Sequence, residues 1–231
     1  MASPNPPSAA LLIVDVQEDF CRPNGSLALP GGRELATPIN KLLASPGFKL
    51  KLAARDFHPR NHVSFASQHE GAVAFTSETT ITNPENAAES ITKVYHDHCV
   101  QGTPGCEIIP EIHTARLDAI INKGTDANLE SYSAFGPPFR NPRVRATRLH
   151  AMLQDAGITH VFCVGLSYNV CVLHSALDAA ELGYTTFVIR DVTASRLDVE
   201  GLRATREALE RGGVGVVEMG SAELEFARVD R

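Results

Sequence analysis

A three-layer α/β fold is predicted, with helices covering a six-stranded, mostly parallel sheet. Two observations carry the prediction. Short apolar, β-branched runs alternate with segments of helical periodicity along most of the chain, and strand–helix–strand connections bring successive strands to lie parallel. The first run, Ala9–Val16 (AALLIVDV), is apolar without alternation, as expected of a strand covered on both faces.

Residues 1–8 read as a flexible tail, and 9–231 as one domain. The opening strand ends at Asp15 and leads into a Pro/Gly-rich loop, Arg22–Gly32. A helix from Glu34 to Ala44 follows, then a second strand, Lys49–Ala54, running into Arg55-Asp56-Phe57-His58-Pro59. Between 60 and 106 periodicity fades and Thr76–Ala87 reads as polar loop, an irregular insertion of a length more often functional than incidental. Leu117–Asn122 is the third strand, Pro142–Ala156 a helix, and Thr159–Gly165 the fourth strand. Val170, Leu173, Leu177 and Ala180 recur at helical spacing up to Gly183, which starts a helix near Asn169, an acceptable N-cap. Thr185–Arg190, Val199–Arg211 and Val214–Val217 complete the pattern as strand, helix and strand.

Composition narrows the function. The 231 residues suffice for a sizeable core, and 43% hydrophobic with 21% charged residues is ordinary for a soluble globular protein. A formal net charge of −6, with no Lys/Arg cluster, disfavours a nucleic-acid surface. The opening MASPNPPSAA lacks a basic leader region and the Ala9–Val16 run is too short to span a bilayer. Five cysteines without dense spacing predict reduced thiols in a cytoplasmic protein. Gly212-Gly213-Val214-Gly215 precedes a strand, whereas a dinucleotide-binding turn follows one, so a dehydrogenase is disfavoured.

Ligands of an open parallel sheet bind at the carboxyl ends of its strands. Asp15, Asp56 with His58, Lys123 and Cys171 each fall at or just past a different strand end. Singly, each is more often a solvated strand-end residue or a buried small hydrophobe. Together they compose a nucleophilic site. Cys171 in the first turn of a helix is predicted to have a lowered thiol pKa, and the same N–H groups can hold an oxyanion. Asp15 can take and return the thiol proton while Lys123 stabilises the charges. Asp56-x-His58 supplies an oxygen and a nitrogen for Zn²⁺ or Fe²⁺, with His62, His69, His96 and His98 all open as the third ligand.

The chain resembles the nicotinamidases (pyrazinamidases) among the isochorismatase-like cysteine hydrolases. The resemblance lies in Asp15-Val16-Gln17-Glu18-Asp19-Phe20, Asp56-Phe57-His58-Pro59, His98-Cys99-Val100-Gln101-Gly102-Thr103, Asn122-Lys123-Gly124 with Ser131-Tyr132-Ser133-Ala134-Phe135, and Gly165-Leu166 through Cys171-Val172, all in family order. It implies Cys171 as nucleophile, Asp15 as acid/base and Lys123 as third member of a triad. It further implies Asp56, His58 and His98 as ligands of a divalent metal, zinc first, with Fe²⁺ or Mn²⁺ as alternatives. The oxyanion hole maps to the N–H groups of Ser167 and Cys171, with a cis peptide between Leu166 and Ser167. Phe20, Tyr95 and Tyr132 become pocket walls, and His62, His69 and His96 remain loop histidines. Two features depart from the family: Tyr95 stands where a tryptophan is frequent, and Ser167-Tyr168-Asn169-Val170 replaces a segment with an acidic residue followed by an aromatic. The implied activity is hydrolysis of nicotinamide to nicotinate and ammonia through a thioester. Its alternatives are hydrolysis of another small amide or carbamoyl compound, and ligand binding on the same scaffold without turnover. An isochorismatase proper is disfavoured because the nucleophilic cysteine is present. A small-molecule substrate, no nucleic-acid or membrane partner, and a homo-oligomer complete the expectation.

Overall fold

The computed structural model describes residues 7–227. In chain order the strands are β1 (Ala9–Val14), β2 (Phe48–Asp56), β3 (Glu78–Thr82), β4 (Glu89–Lys93), β5 (Ala119–Lys123), β6 (His160–Leu166), β7 (Thr185–Ala194) and β8 (Gly215–Val217). The α-helices are α1 (Ala36–Ala44), α2 (Leu149–Asp155), α3 (Leu173–Glu181) and α4 (Val199–Arg211). Six strands form one sheet in the order β5-β2-β1-β6-β7-β8, and every neighbouring pair is parallel.

Burial explains why the strands read as unbroken apolar runs. Along β1, Ala10, Leu12 and Val14 join one core with Leu149 and Leu153 of α2, Ala176 and Ala179 of α3, and Leu209 of α4. Ala9, Leu11 and Ile13 face the other way, into a second core with Ile39, Leu42 and Leu43 of α1 and Leu224. Both faces are covered, so the period-two signature of a half-exposed strand is absent. The strand order reverses between β1 and β6, which opens a crevice at their carboxyl ends. There Gly165, at φ +106°, lies so close to β1 that a Cβ would stand 2.2 Å from the Val14 carbonyl oxygen. Only glycine permits that approach.

Several boundaries differ from the sequence prediction. The irregular segment 60–106 contains the antiparallel hairpin β3–β4, whose first strand falls within the Thr76–Ala87 stretch expected to be loop. Its strands are rich in threonine and glutamate and bury little beyond Ile81 and Thr92, so no apolar face announces them. The helix expected from Pro142 begins only at Leu149: Arg145 has φ +49°, and 143–148 carries a single buried apolar residue, Val144. β1 stops two residues early because Asp15 takes φ +52°. Of the predicted tail, residues 1–6 lie outside the described residues, but Ser8 is fastened to the fold, its carbonyl accepting from the N–H groups of Thr159 and His160. No helix among the described residues is long and apolar enough to cross a membrane.

Candidate active site

Asp56 and Lys123 are the last residues of β2 and β5, and the register sets them directly opposite each other. Asp15 follows β1 on the next strand across, its N–H donating to the Ala54 carbonyl at 3.0 Å. Parallel pairing therefore delivers the three charged groups to one rim. The Lys123 ammonium lies 2.9 Å from an Asp15 carboxylate oxygen and 2.5 Å from one of Asp56. It also donates to the Ser131 carbonyl at 3.2 Å and reaches the Cys171 sulfur at 3.6 Å. All four side chains are buried. A carboxylate oxygen from each of Asp15 and Asp56 and the Cys171 sulfur lie within 4.8 Å of one another. The predicted triad is thus a single cluster.

Cys171 reaches this cluster by a route the sequence does not announce. The Leu166–Ser167 peptide is cis, as expected. Ser167, rather than Asn169, occupies the extended N-cap position, and residues 168–172 form a π-helical turn before α3 begins. The Ser167 carbonyl accepts from the N–H groups of both Val170 and Val172. π-turns of this kind recur at functional sites.

The electrostatics correct one expectation. Burial pushes the Cys171 thiol well above its ordinary range; Lys123 pulls it down, while Asp15 and Asp56 reinforce the rise. Burial also raises the Asp15 carboxyl to about 7, with Lys123 opposing and Asp56 assisting. Burial likewise works against the charge of Asp56, yet Lys123, His58 and His98 hold that carboxyl far below the usual range. Burial disfavours the Lys123 cation too, and its two carboxylate neighbours keep it charged. The thiol pKa is therefore raised, where the helix start predicts that it is lowered. Desolvation and two nearby carboxylates outweigh the helix dipole.

Beside the triad, His58 Nε2 and His98 Nε2 stand 3.6 and 3.9 Å from the same Asp56 oxygen. His58 Nδ1 is hydrogen-bonded to the Gly124 carbonyl at 2.8 Å, and His98 Nδ1 to the His96 carbonyl at 2.8 Å. A carbonyl only accepts, so each Nδ1 carries a proton, which leaves Nε2 as the ring nitrogen that would take a cation when the imidazole is neutral. His58 Nε2 is buried without a hydrogen-bond partner. An orphaned nitrogen, a second imidazole nitrogen and a carboxylate on one spot fit a divalent cation. Gly124 seats this arrangement: at φ +61° it lies against the His58 ring, where a Cβ would approach to 2.4 Å.

A cavity of about 350 Å³ opens onto both clusters. Phe20, Tyr95, Tyr132, Asp56, His98, Ser167 and Cys171 line it, which brings the expected pocket walls together with the expected nucleophile and two of the three expected metal ligands. The other loop histidines fall outside the cavity lining. His62, expected as a surface residue, is instead buried, its ring hydrogen-bonded to Ser64 and the Leu129 carbonyl.

The model of the isochorismatase domain matches residues 9–217. The chain belongs to that family. This isochorismatase-family protein is 38% identical over 188 residues to the nicotinamidase of Escherichia coli K12, covering 80% of this chain and 82% of that one. Its backbone superposes on the yeast nicotinamidase bound to the inhibitor nicotinaldehyde with a TM-score of 0.85, at 30% identity over 91% of this chain and 99% of the other. A pyrazinamidase of Pyrococcus horikoshii in complex with zinc aligns with a TM-score of 0.70 and 28% identity, over 92% and 99% of the two chains.

Two residues of the family protein's site escape sequence reasoning. The Gln17 amide donates to the Asp56 carbonyl at 2.8 Å and accepts from the Asp56 N–H at 2.8 Å, fixing the backbone of the central carboxylate. Glu130 is buried, accepts from the Ser131 N–H at 2.7 Å, and brings a carboxylate to within 4.8 Å of the His58 and His62 rings. Gln17 lies in the DVQEDF stretch, a signal that was present. Nothing local marks Glu130.

Proposed function

We propose that this chain hydrolyses nicotinamide to nicotinate and ammonia, with Cys171 as covalent nucleophile and a divalent metal held by Asp56, His58 and His98. The observation that carries the reading is the convergence of Asp15, Lys123 and Cys171 beside two imidazole nitrogens that share one carboxylate oxygen. The nicotinamidase relatives at 32–38% identity support the substrate, and the zinc complex of the archaeal pyrazinamidase supports zinc.

The chemistry follows from the resting protonation states. As Cys171 Sγ attacks the carboxamide carbon, its proton passes to Asp15, whose carboxyl near 7 is basic enough to accept it. Lys123 holds Asp15 in place and balances the negative charge left as the proton moves. The oxygen of the tetrahedral adduct is held by the N–H groups of Ser167 and Cys171. Asp15 then returns the proton to the amide nitrogen, the C–N bond breaks, and ammonia leaves a thioester. Water, deprotonated by Asp15, attacks the thioester carbon; the C–S bond breaks, nicotinate departs and the sulfur recovers its proton. A cation held by Asp56, His58 and His98 would supply a fixed positive charge to bind the ring nitrogen.

Steady-state ammonia release from nicotinamide, pyrazinamide, a carbamoyl compound and an aliphatic amide tests the reading. Turnover confined to the heteroaromatic carboxamides supports it. Faster release from the carbamoyl compound would replace it with the related hydrolase activity, and absence of turnover with all four would leave a binding protein.

A further inference from the structure

Three hydroxyls form a chain across the wall of the catalytic cavity. Thr92 Oγ1 and Tyr132 OH are 2.8 Å apart, and Tyr132 OH and Tyr95 OH 3.1 Å apart. Tyr95 lines the catalytic cavity, Thr92 lines a neighbouring cavity of about 180 Å³, and Tyr132 lines both. Each hydroxyl carries one proton and can accept as well as donate. Two hydrogen bonds use two of the three protons. One proton remains at an end of the chain, and the chain can run either way, so Tyr95, which lines the cavity, has a donor to spare in one direction and only acceptor capacity in the other.

The rings hold this end in place. Tyr132 is stacked on His174, with centroids 5.4 Å apart and planes at 29°. Tyr95 is held edge-on by Phe75 at 5.7 Å and by the metal-ligand histidine His98 at 5.9 Å. Burial keeps both phenols protonated: it pushes Tyr132 up to about 12 and Tyr95 well above its ordinary range. The cavity that Tyr95 lines is apolar at Phe20, Leu27 and Leu29 and polar at Asp56, Glu130, Ser167 and Asn169, so the Tyr95 hydroxyl is one of several polar groups on its wall and the one joined to the hydroxyl chain through Tyr132. The hydroxyl keeps Tyr132 as one partner; an apolar ring edge set against it would leave its remaining proton or lone pair unmatched, whereas a polar ring substituent would use it.

We propose that Tyr95 is a specificity-determining residue which, through the hydroxyl chain with Tyr132 and Thr92, selects heteroaromatic carboxamides bearing a hydrogen-bonding ring substituent over those bearing an apolar one. The inference rests on the carboxamide hydrolase reading above and names the substrate class of the same cavity.

The test compares nicotinamides carrying an amino group with those carrying a methyl group at the same ring position, taking each open position in turn. At the position that meets Tyr95, kcat/KM for the amino compound should exceed that for the methyl compound by about three- to tenfold, the range of one neutral hydrogen bond. Tyr95→Phe should bring that ratio close to unity, whatever happens to the absolute rates. A change in general stability would move both compounds together. The same ratio is read as equilibrium affinity by titrating the ligands into Cys171→Ala protein, with and without Tyr95→Phe, so that a failure of turnover alone is told apart from a failure of recognition. Equal ratios in the parent and Tyr95→Phe proteins at every ring position, in both assays, would overturn the proposal, as would binding of neither compound.

Discussion

Lys123 and Asp56 form a buried ion pair at 2.5 Å that joins the nucleophilic cluster to the candidate metal cluster. The pair is a direct product of sheet register, since the two residues are partners at the ends of adjacent parallel strands. Asp56 thereby serves two neighbours: one oxygen meets the ammonium, and the other faces His58 and His98. Because Asp15 lies 2.9 Å from the same ammonium, a single buried cation separates two buried carboxylates.

Replacing Lys123 with methionine keeps the length and removes the charge. Asp15 and Asp56 would then face each other in a dry site without compensation. Breaking a buried pair in this way typically removes about 3–5 kcal/mol of stability. Urea unfolding of Lys123→Met at pH 8 should show a loss of that order, together with loss of turnover. A midpoint within experimental error of the parent protein would mean that the two carboxylates are neutralised by other means and that Lys123 is not their common counter-ion.

Asp15 yields a pH signature in both activity and stability. Its carboxyl is raised by burial from an unfolded value of 3.8 to about 7. In its proposed role as proton acceptor it must be ionised, so kcat/KM should rise with pH through about 7 and level off above. For stability the sign is opposite. A carboxyl whose folded pKa exceeds its unfolded value is most favourable to the fold in acid, and that contribution is lost as pH rises through the folded pKa. The stability of the parent protein relative to Asp15→Asn should therefore fall between about pH 4 and 7, followed by urea midpoints at several pH values. A difference that stays flat across this range would place the Asp15 carboxyl at its ordinary pKa.

Much of this arrangement was legible in the sequence, for reasons that also explain the gaps. Strands buried on both faces leave unbroken runs such as Ala9–Val14, and parallel topology puts their ends on one rim, so Asp15, Asp56, Lys123 and Cys171 could be grouped before any coordinates. The β3–β4 hairpin was not legible because its strands pair mainly with each other and present polar side chains. The start of the helical segment differs because Ser167 opens a π-turn, a backbone geometry that side-chain preferences for helix caps do not encode. The state of the thiol was misjudged because helix-start reasoning is local, whereas the raised pKa comes from burial and from carboxylates on two other strands. Gln17 acts on Asp56 from 39 residues away, a distance over which sequence spacing says nothing.

The candidate metal group makes a prediction of its own. His58 and His98 each have Nδ1 engaged by a carbonyl and Nε2 aimed at Asp56, so substituting either histidine removes a donor without disturbing the triad directly. His98→Ala should reduce bound divalent metal, measured by elemental analysis of the purified protein, and weaken substrate binding. Losing one ligand or a close supporting group commonly weakens metal affinity by at least about tenfold. Treatment of the parent protein with a chelator should produce the same loss, with recovery on adding Zn²⁺. Substrate affinity unchanged by both treatments would assign the two histidines a purely structural role.

Cys171 offers the most direct test of the covalent route. Its sulfur lies at the meeting point of Lys123 and Asp15, and Cys171 lines the cavity. Cys171→Ala should lower turnover by at least about a thousandfold, since a nucleophile and its base act as one unit and no neighbouring group replaces the lost atom. The variant should still bind nicotinamide, because Phe20, Tyr95 and Tyr132, which line the cavity, and the candidate metal ligands are untouched. Rapid acid quenching of the parent protein during turnover, followed by mass spectrometry, should reveal a pyridine-carbonyl adduct on the peptide containing Cys171. A Cys171→Ala protein that retains steady ammonia release would mean that water attacks the amide directly, leaving Asp15 as a general base alone.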